Sequence, residues 1–232
     1  MILYDGIDLQ SVADVKIEDI RVSSIQYAPV ARNRAVSAGS VFVRNRSATR
    51  TVTVTFALLK SERDARQAAL KAINAWAKTD KEYRIDIAGH QNQYLTGVCT
   101  AKPDPSLRQW WESKLRVVFT CFNDPFWNDD TVKTVACGTA FTVLGDAEPI
   151  MQIVKTRDSD ASNVAYSDGT NTINLSTVPA GDMVIDLNRE TIRVGTTSIM
   201  QYYGNTSRWI HPKIGTQTIT GDGAVQYRER WE

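Results

Sequence analysis

The sequence predicts a mainly β fold in two domains, an α+β domain followed by a β-sandwich. Three observations support this. Apolar and polar residues alternate with period two in several segments of the first half, as in strands that bury one face. Only residues 61–78 show convincing helical periodicity. Beyond residue 128, short strands are separated by turn signals without helical periodicity, as in a β-sandwich.

The domain boundary is predicted near residue 128, which gives domains of residues 1–128 and 129–232. The preceding segment, Asn123-Asp124-Pro125-Phe126-Trp127, contains an Asp-Pro step that disfavours helix. With 232 residues in all, either domain is long enough to bury a core.

Residues 31–50 form a basic segment. There is no acidic residue from Ile20 to Ser61. The basic residues of that stretch are Arg21, Arg32, Arg34, Arg44, Arg46, Arg50 and Lys60. Ser37-Ala38-Gly39-Ser40 predicts the tip of a hairpin or a long loop. A basic arm that docks on another protein and a solvated loop both remain open.

Residues 51–59 are predicted to form a strand, followed by one helix. Four apolar residues of the strand share one face and three threonines share the other: Val52, Val54, Phe56 and Leu58 against Thr51, Thr53 and Thr55. Ser61 and Asp64 form a weak capping box for the helix. Its apolar stripe, which should pack across a sheet, consists of Ala65, Ala69, Ala72, Ile73 and Trp76.

Strands return over residues 82–122. The last of them is predicted to bury Leu115, Val117, Phe119 and Cys121 on one face. The first domain therefore has the order ββ, helix, ββ, with mostly antiparallel pairing.

Two hairpins are predicted in the second domain. Asp168-Gly169 joins residues 163–166 to 172–175, because Asp-Gly favours a tight turn. Residues 183–187 pair with 191–194 across Asn188-Arg189-Glu190.

The formal net charge of +1 excludes a global basic field for nucleic acid. Residues 1–127 carry 18 Lys and Arg against 13 Asp and Glu, whereas residues 128–232 carry 9 against 13. Opposite signs suit steering between neighbouring subunits, and solubility alone would explain them equally well.

Cys99, Cys121 and Cys137 have neither a disulfide-framework pattern nor metal-ligand spacing, which favours folding in a reducing compartment. The first residues lack the pattern of a signal peptide, and no apolar run approaches the ~20 residues that span a bilayer. We therefore expect synthesis in a cytoplasm and no membrane anchor.

No motif for catalysis, a metal or a cofactor is found, so none is predicted. His90 and His211 are expected to be structural. The local carboxylate pairs are Asp129 with Asp130, Asp158 with Asp160, and Asp182 with Asp186. We expect Asp182 and Asp186 to bond backbone amides at turns rather than to cleave a glycoside. Calcium binding by Asp158, Asp160 and Asp168 is favoured over glycoside cleavage, although the loop lacks the EF-hand pattern.

Several segments of both domains occur in a recognisable order. In the first domain these are the basic hairpin, Phe56-Ala57-Leu58-Leu59, the helix with Leu70 to Trp76, and Asn123 to Trp127. In the second they are Glu148 to Ile153, Thr172 to Leu175, Ala180 to Asp186, Arg189 to Ile192, and Trp209 to Gly215. The Gly-Asp-x-x-x-Asp strand at Gly181, with the following Arg-x-Thr, is the most specific motif. This order resembles the distal tail (Dit) proteins of long-tailed, non-contractile bacteriophages.

The resemblance implies a hexameric ring at the tail tip, in the virion, around the channel through which DNA passes. The first domain would form the ring, and a galectin-like second domain would lie at its periphery. The implied partners are other copies of the chain, the tail-tube protein, the tip protein and a receptor-binding protein, with no sequence-specific DNA binding. A ring needs heterologous contacts, for which we predict the interface residues Arg32, Arg34, Phe42, Arg44 and Arg46.

Two other functions are weighed against this structural, non-enzymatic one. A carbohydrate-binding module would use Tyr202, Tyr203 and Trp209 as platforms, whereas we expect these rings to pack in the core. A glycosidase or peptidoglycan hydrolase is the weakest hypothesis, because no nucleophile or metal motif supports it.

Overall fold

The structure is a computed structural model that describes residues 1–33, 40–60, 62–90, 92–103 and 114–232, with only the backbone at 28–33 and 40–47. Strands make up 54% and helices 10% of it, which confirms the mainly β, α+β prediction. Its residues divide into two compact units, Met1–Trp127 with Glu232 (unit 1) and Asn128–Trp231 (unit 2). In the described ranges, no helix has the length and apolar character needed to cross a membrane.

Unit 1 is built on an antiparallel sheet with the strand order β2-β1-β6-β7-β8-β5-β3, and β4 pairs with a further part of β5. The strands are β1 Ile2–Tyr4, β2 Ile7–Asp8, β3 Val15–Val22, β4 Gln26–Asn33, β5 Ser40–Leu58, β6 Tyr83–Ile87, β7 Gln93–Ala101 and β8 Leu115–Cys121. The helices are α1 Leu9–Val12 and α2 Arg63–Trp76, and β9 Trp127–Asp129 spans the boundary between the units.

One face of the unit 1 sheet forms the core, and α2 covers it. Val52, Val54 and Phe56 are fully buried, as are Val117 and Phe119 on the neighbouring β8. The alternation predicted for residues 51–59 and for 115–121 is therefore confirmed.

Helix α2 contacts this core through aromatic rings. The Trp76 ring lies 5.7 Å from the Phe119 ring and 5.6 Å from the Tyr4 ring. Leu70, Ile73 and Trp76 are the buried residues of the helix, whereas the alanines of the predicted stripe, Ala65, Ala69 and Ala72, are only half-buried.

Three details of unit 1 differ from the sequence prediction. The short helix α1 was not predicted; the Asp8 carboxylate caps it by accepting the Gln10 N–H at 3.2 Å. Helix α2 begins at Arg63, with Glu62 as an N-cap that forms no side-chain cap bond, while Ser61 lies outside the described residues. Among the described residues, five strands precede α2 and three follow it before the boundary strand, rather than two and two.

Unit 2 consists of antiparallel strands in three groups. The largest sheet has the order β10-β19-β12-β15-β16-β17, and β11 pairs with β18 and β13 with β14. The strands are β10 Lys133–Ala136, β11 Phe141–Val143, β12 Ala147–Arg157, β13 Ala161–Ser167, β14 Thr172–Val178, β15 Gly181–Asp186, β16 Thr191–Val194, β17 Thr197–Ser198, β18 Gly215–Gln217 and β19 Ala224–Trp231. A 3₁₀ turn spans Met200–Tyr202.

A single apolar cluster joins the large sheet of unit 2 to both two-stranded groups. It contains Met151 and Ile185 of the large sheet, Tyr166 and Leu175 of β13 and β14, and Phe141 of β11. The two-stranded groups therefore pack on one face of the large sheet as a second layer. Both hairpins predicted in this half are confirmed by the registers Ser167↔Thr172 and Asp186↔Thr191.

Candidate protein interface

Strand β5 extends well beyond the core sheet and carries β4 with it. From Val52 to Leu58, β5 pairs with β3, and from Arg50 to Phe56 it pairs with β8. Its first ten residues, 40–49, pair instead with β4. We call β4 together with residues 40–49 the ribbon. At ~3.3 Å per residue, ten residues extend about 33 Å.

The ribbon is irregular in register. The Cα pairs run from Gln26↔Thr49 to Asn33↔Ser40, with shifts between Tyr27 and Pro29 and between Val30 and Ala31. Strand β4 continues through Pro29, because proline can occupy an edge strand, where its missing N–H faces no ladder partner. Such irregularities increase local twist.

Both outer edges of the ribbon lack a strand partner within the described chain, since β4 pairs only with β5 and residues 40–49 pair only with β4. An isolated two-stranded ribbon is marginally stable in water. Unpaired N–H and C=O groups along a strand edge are also ready sites for another strand. The ribbon therefore has the backbone chemistry of a surface that pairs with another chain.

The structure brings three of the predicted interface residues together along the ribbon backbone. Arg32 pairs with Val41, while Phe42 and Arg44 pair with the two preceding positions of β4. Arg46 lies on β5 at the first register shift. Arg34, like the predicted tip at 37–39, lies outside the described residues, so its place in the interface stays a prediction.

A buried arginine marks the base of the ribbon. Arg50 is 4% exposed and pairs with Cys121 where β5 enters the sheet. Burial raises the pKa of the Cys121 thiol to about 12, the charge of Glu82 adds to this, and the guanidinium of Arg50 opposes it. Burying a guanidinium costs free energy unless its environment compensates the charge. We therefore infer that the surroundings of Arg50 require an arginine at the base of the ribbon.

The face of the unit 1 sheet opposite α2 is rich in threonine. Thr53 and Thr55 form the floor of a groove of about 500 Å³. Its walls carry charged residues from both sides, namely Glu18, Asp19, Arg21, Lys114 and Arg116. The Lys114 ammonium lies 3.3 Å from the Glu18 carboxylate. The sequence placed these threonines opposite the core, but alternation alone did not reveal a groove.

The candidate aromatic platforms of unit 2 pack against its core. Tyr202, Tyr203 and Trp209 are half-buried beside the apolar cluster. The Tyr203 and Trp209 rings are stacked, with 5.0 Å between centroids. In unit 1, the exposed ring of His90 stacks on Trp127 at 4.0 Å, a structural role as predicted.

The candidate carboxylates mostly support turns. Asp186 accepts the Arg189 N–H at 3.0 Å, as predicted. Asp182 instead accepts the Thr156 hydroxyl at 2.6 Å, because the two residues are opposed in the β12–β15 register, so the prediction of a backbone partner was wrong for it.

The three candidate calcium ligands lie at two ends of β13. Asp160 accepts the Ala180 N–H at 2.9 Å before this strand, whereas Asp168 accepts the Thr170 and Asn171 N–H groups after it. In the residues covered by the structure, no group of three or more His, Cys, Asp or Glu could hold a metal ion.

No protein-family model matches the chain, and no curated protein matches it significantly. Among solved structures, the Dit protein (gp 19.1) of phage SPP1 aligns over 100% of this chain and 98% of its own length, with a TM-score of 0.75 and 18% identity. It is described as a paradigm of the hub adsorption apparatus in phages that infect Gram-positive bacteria.

The activated baseplate of phage p2 contains a chain that aligns over 98% of this chain and 96% of its own, with 11% identity. Its TM-score of 0.45 is too low to support an argument. The resemblance to distal tail proteins is thus confirmed at the level of the fold, and this chain has the fold of the SPP1 Dit protein.

Proposed function

We propose that the chain is a structural hub protein of a bacteriophage tail tip, belonging to the distal tail family, and that it works by assembly rather than catalysis. The observation that carries the proposal is the ribbon, a long two-stranded extension with both outer edges unpaired in the described chain. The full-length match in fold to the SPP1 hub protein supports it.

The ribbon docks on a neighbouring copy of the chain. An extended segment that adds to a sheet edge gains main-chain hydrogen bonds, and pockets for alternate side chains supply specificity. Different patches then meet at each contact, which is the heterologous geometry that closes into a ring. We assign Arg32, Arg34, Phe42, Arg44 and Arg46 to this contact.

Charge supports the choice of a second copy as the partner. Ile20 to Ser61 contains no acidic residue, whereas residues 128–232 carry an excess of four acidic side chains, 13 against 9 basic. Complementary potentials of this kind steer association and set register.

The complete proposal is a hexamer in the virion that connects the tail tube to the tip proteins and surrounds the DNA channel. It comprises two domains, residues 1–128 forming the ring and 129–232 a galectin-like periphery. A receptor-binding protein attaches to the hub, DNA passes without sequence-specific contacts, and the chain is synthesised in the host cytoplasm.

The first experiment measures the oligomeric state of the purified chain by size-exclusion chromatography with light scattering and by negative-stain imaging. Six chains of 25.9 kDa give a ring of about 155 kDa. A monomer that persists at high protein concentration would overturn the proposed function.

A second experiment tests the ribbon as the contact. The double variant Arg44→Glu/Arg46→Glu should yield smaller, folded particles, because the charge reversal removes the attraction to an acidic neighbour. Arg189→Glu/Arg193→Glu makes the same charge change on exposed sites of unit 2 and should leave the assembly intact. Equal disruption by both pairs, or by neither, would remove the ribbon from the interface.

A further inference from the structure

A recess of about 370 Å³ lies on the outward side of the β13–β14 hairpin in unit 2. Its lining consists of Asn163, Asn174, Leu175, Ser176, Gly204 and Thr206, so none of the described residues that form it is charged. The volume falls at the lower end of the ~300–1,000 Å³ typical of small-molecule sites.

Strand alternation places the polar side chains on this side. Val164 and Ile173 are buried in the core of unit 2, so the residues next to them, Asn163 and Asn174, lie on the other face. The β13–β14 register runs from Ser162↔Thr177 to Val164↔Leu175 without a shift, so Asn163 lies opposite Ser176, with a φ of +55°. Asparagine tolerates this left-handed conformation better than most residues, and residues held in it cluster at ligand sites.

The segment after the 3₁₀ turn builds the second wall. The Gly204 N–H donates to the Asn174 carbonyl at 2.8 Å, and the Ser207 hydroxyl accepts the Asn174 N–H at 2.9 Å. Both backbone groups of Asn174 are therefore occupied by residues on either side of Thr206. These bonds hold the Asn174 backbone against the segment that contains Thr206.

The polar groups of the recess are free. In the part of the chain that the structure describes, no hydrogen bond occupies the side-chain amides of Asn163 and Asn174 or the hydroxyl of Thr206. Asn188 shows the contrast, because its amide donates to the Pro149 carbonyl at 2.9 Å and accepts the Met151 N–H at 2.7 Å. Each free amide offers two donors and an acceptor within one small volume.

We propose that this recess binds a neutral saccharide, with the Asn163 and Asn174 amides hydrogen-bonded to its hydroxyl groups. Sugar hydroxyls are both donors and acceptors, so they match amides and a threonine hydroxyl, and the uncharged lining gives an ionic ligand no counter-charge. The stacked Tyr203 and Trp209 do not line the recess, so hydrogen bonds carry the recognition. We expect a dissociation constant on the order of 1 mM for a monosaccharide.

The test is saturation-transfer difference NMR on the full chain, which detects weak ligands of large particles. The probes are glucose, galactose and N-acetylglucosamine, with glucuronic acid as the charged counterpart, at up to about ten times the expected dissociation constant. At least one neutral sugar should give a saturable signal, and glucuronic acid should bind roughly tenfold more weakly or not at all.

Two variants locate the binding. Asn174→Ala and Asn163→Gly should each weaken it roughly tenfold, because each removes a hydrogen-bonding amide. Glycine keeps the left-handed backbone available at residue 163. The matched control is Asn205→Ala, an exposed asparagine of the same segment that does not line the recess. Neither lost amide makes an internal bond, so the thermal midpoint should stay unchanged.

The absence of a saturation-transfer signal from all four sugars would overturn the proposal, and a protein would then be the ligand to test at the recess. A sugar signal that survives both recess variants would also overturn it, since the binding would then lie elsewhere. Neither result bears on the ring, whose test is the oligomeric state.

Discussion

The ammonium of Lys133 lies 2.8 Å from the carboxylate of Glu229, whose side chain is only 3% exposed. The other oxygen of that carboxylate accepts the Leu144 N–H at 3.0 Å. Lys133 belongs to β10 and Leu144 follows β11, so one acidic side chain on β19 ties two separate segments of unit 2 to the large sheet.

Glu229→Ala should therefore destabilise the protein by about 2–3 kcal/mol, because the Leu144 N–H and the Lys133 charge lose their shared partner. Urea unfolding followed by tryptophan fluorescence measures the change. Arg189→Ala removes a side chain that is 84% exposed and should cost less than about 0.5 kcal/mol. Equal effects of the two substitutions would show that the buried contact contributes nothing.

The raised pKa of the Tyr4 hydroxyl predicts how the free energy of unfolding changes at alkaline pH. Burial is the main reason that its pKa lies well above the ordinary 10.0, and its hydroxyl donates to the Lys78 carbonyl at 2.9 Å. Above about pH 10 the unfolded chain loses this proton while the folded chain keeps it, so stability falls as pH rises. Tyr4→Phe should make this decline shallower while costing about 1 kcal/mol at neutral pH. An unchanged alkaline slope in chemical denaturation would contradict this assignment.

The lowered pKa of Asp168 predicts how the free energy of unfolding changes at acidic pH. Burial alone would raise its pKa, but the Asn171 and Thr170 amides and the charge of Lys213 outweigh burial and lower the pKa. The stabilisation is present above the ordinary value of 3.8 and is lost as pH falls through the lower folded value. Asp168→Asn should flatten the acid limb of stability against pH, whereas Asp158→Asn, at an exposed position, should not. Identical acid limbs for Asp168→Asn and the unmodified chain would refute this.

Substituting two glycines with positive φ distinguishes the cost of backbone strain from the cost of steric overlap. At Gly221 (φ +139°) a methyl group would lie 2.3 Å from the Tyr166 ring, whereas at Gly138 (φ +86°) it would meet no atom within 4 Å. Gly138→Ala should cost about 1 kcal/mol for the backbone alone. Gly221→Ala should cost about 1–3 kcal/mol more, because overpacking is added. Thermal unfolding compares them, and a smaller loss for Gly221→Ala would show that the ring moves aside freely.

The features that followed from sequence are those set by local pattern. Val52 to Leu58 alternate strictly, and Asp168-Gly169 supplies its own turn, so both elements were predictable. Helix α1 has only four residues, too few for a periodic signal. The bond from Thr156 to Asp182 depends on which strands become neighbours, as does the meeting of Asn163, Asn174 and Thr206 in one recess. These contacts arise from tertiary register, which no local window contains.

Strand β5 has a mechanical consequence. Because it is a single 19-residue strand, β5 runs from the ribbon directly into the unit 1 sheet, where it lies between β3 and β8. Its ladder bonds to β3 and β8 run across the strand axis. An axial pull on the ribbon loads all of these bonds together in shear, whereas peeling would break them one after another. Tension applied along the ribbon is therefore shared by all the ladder bonds of β5 to β3 and β8.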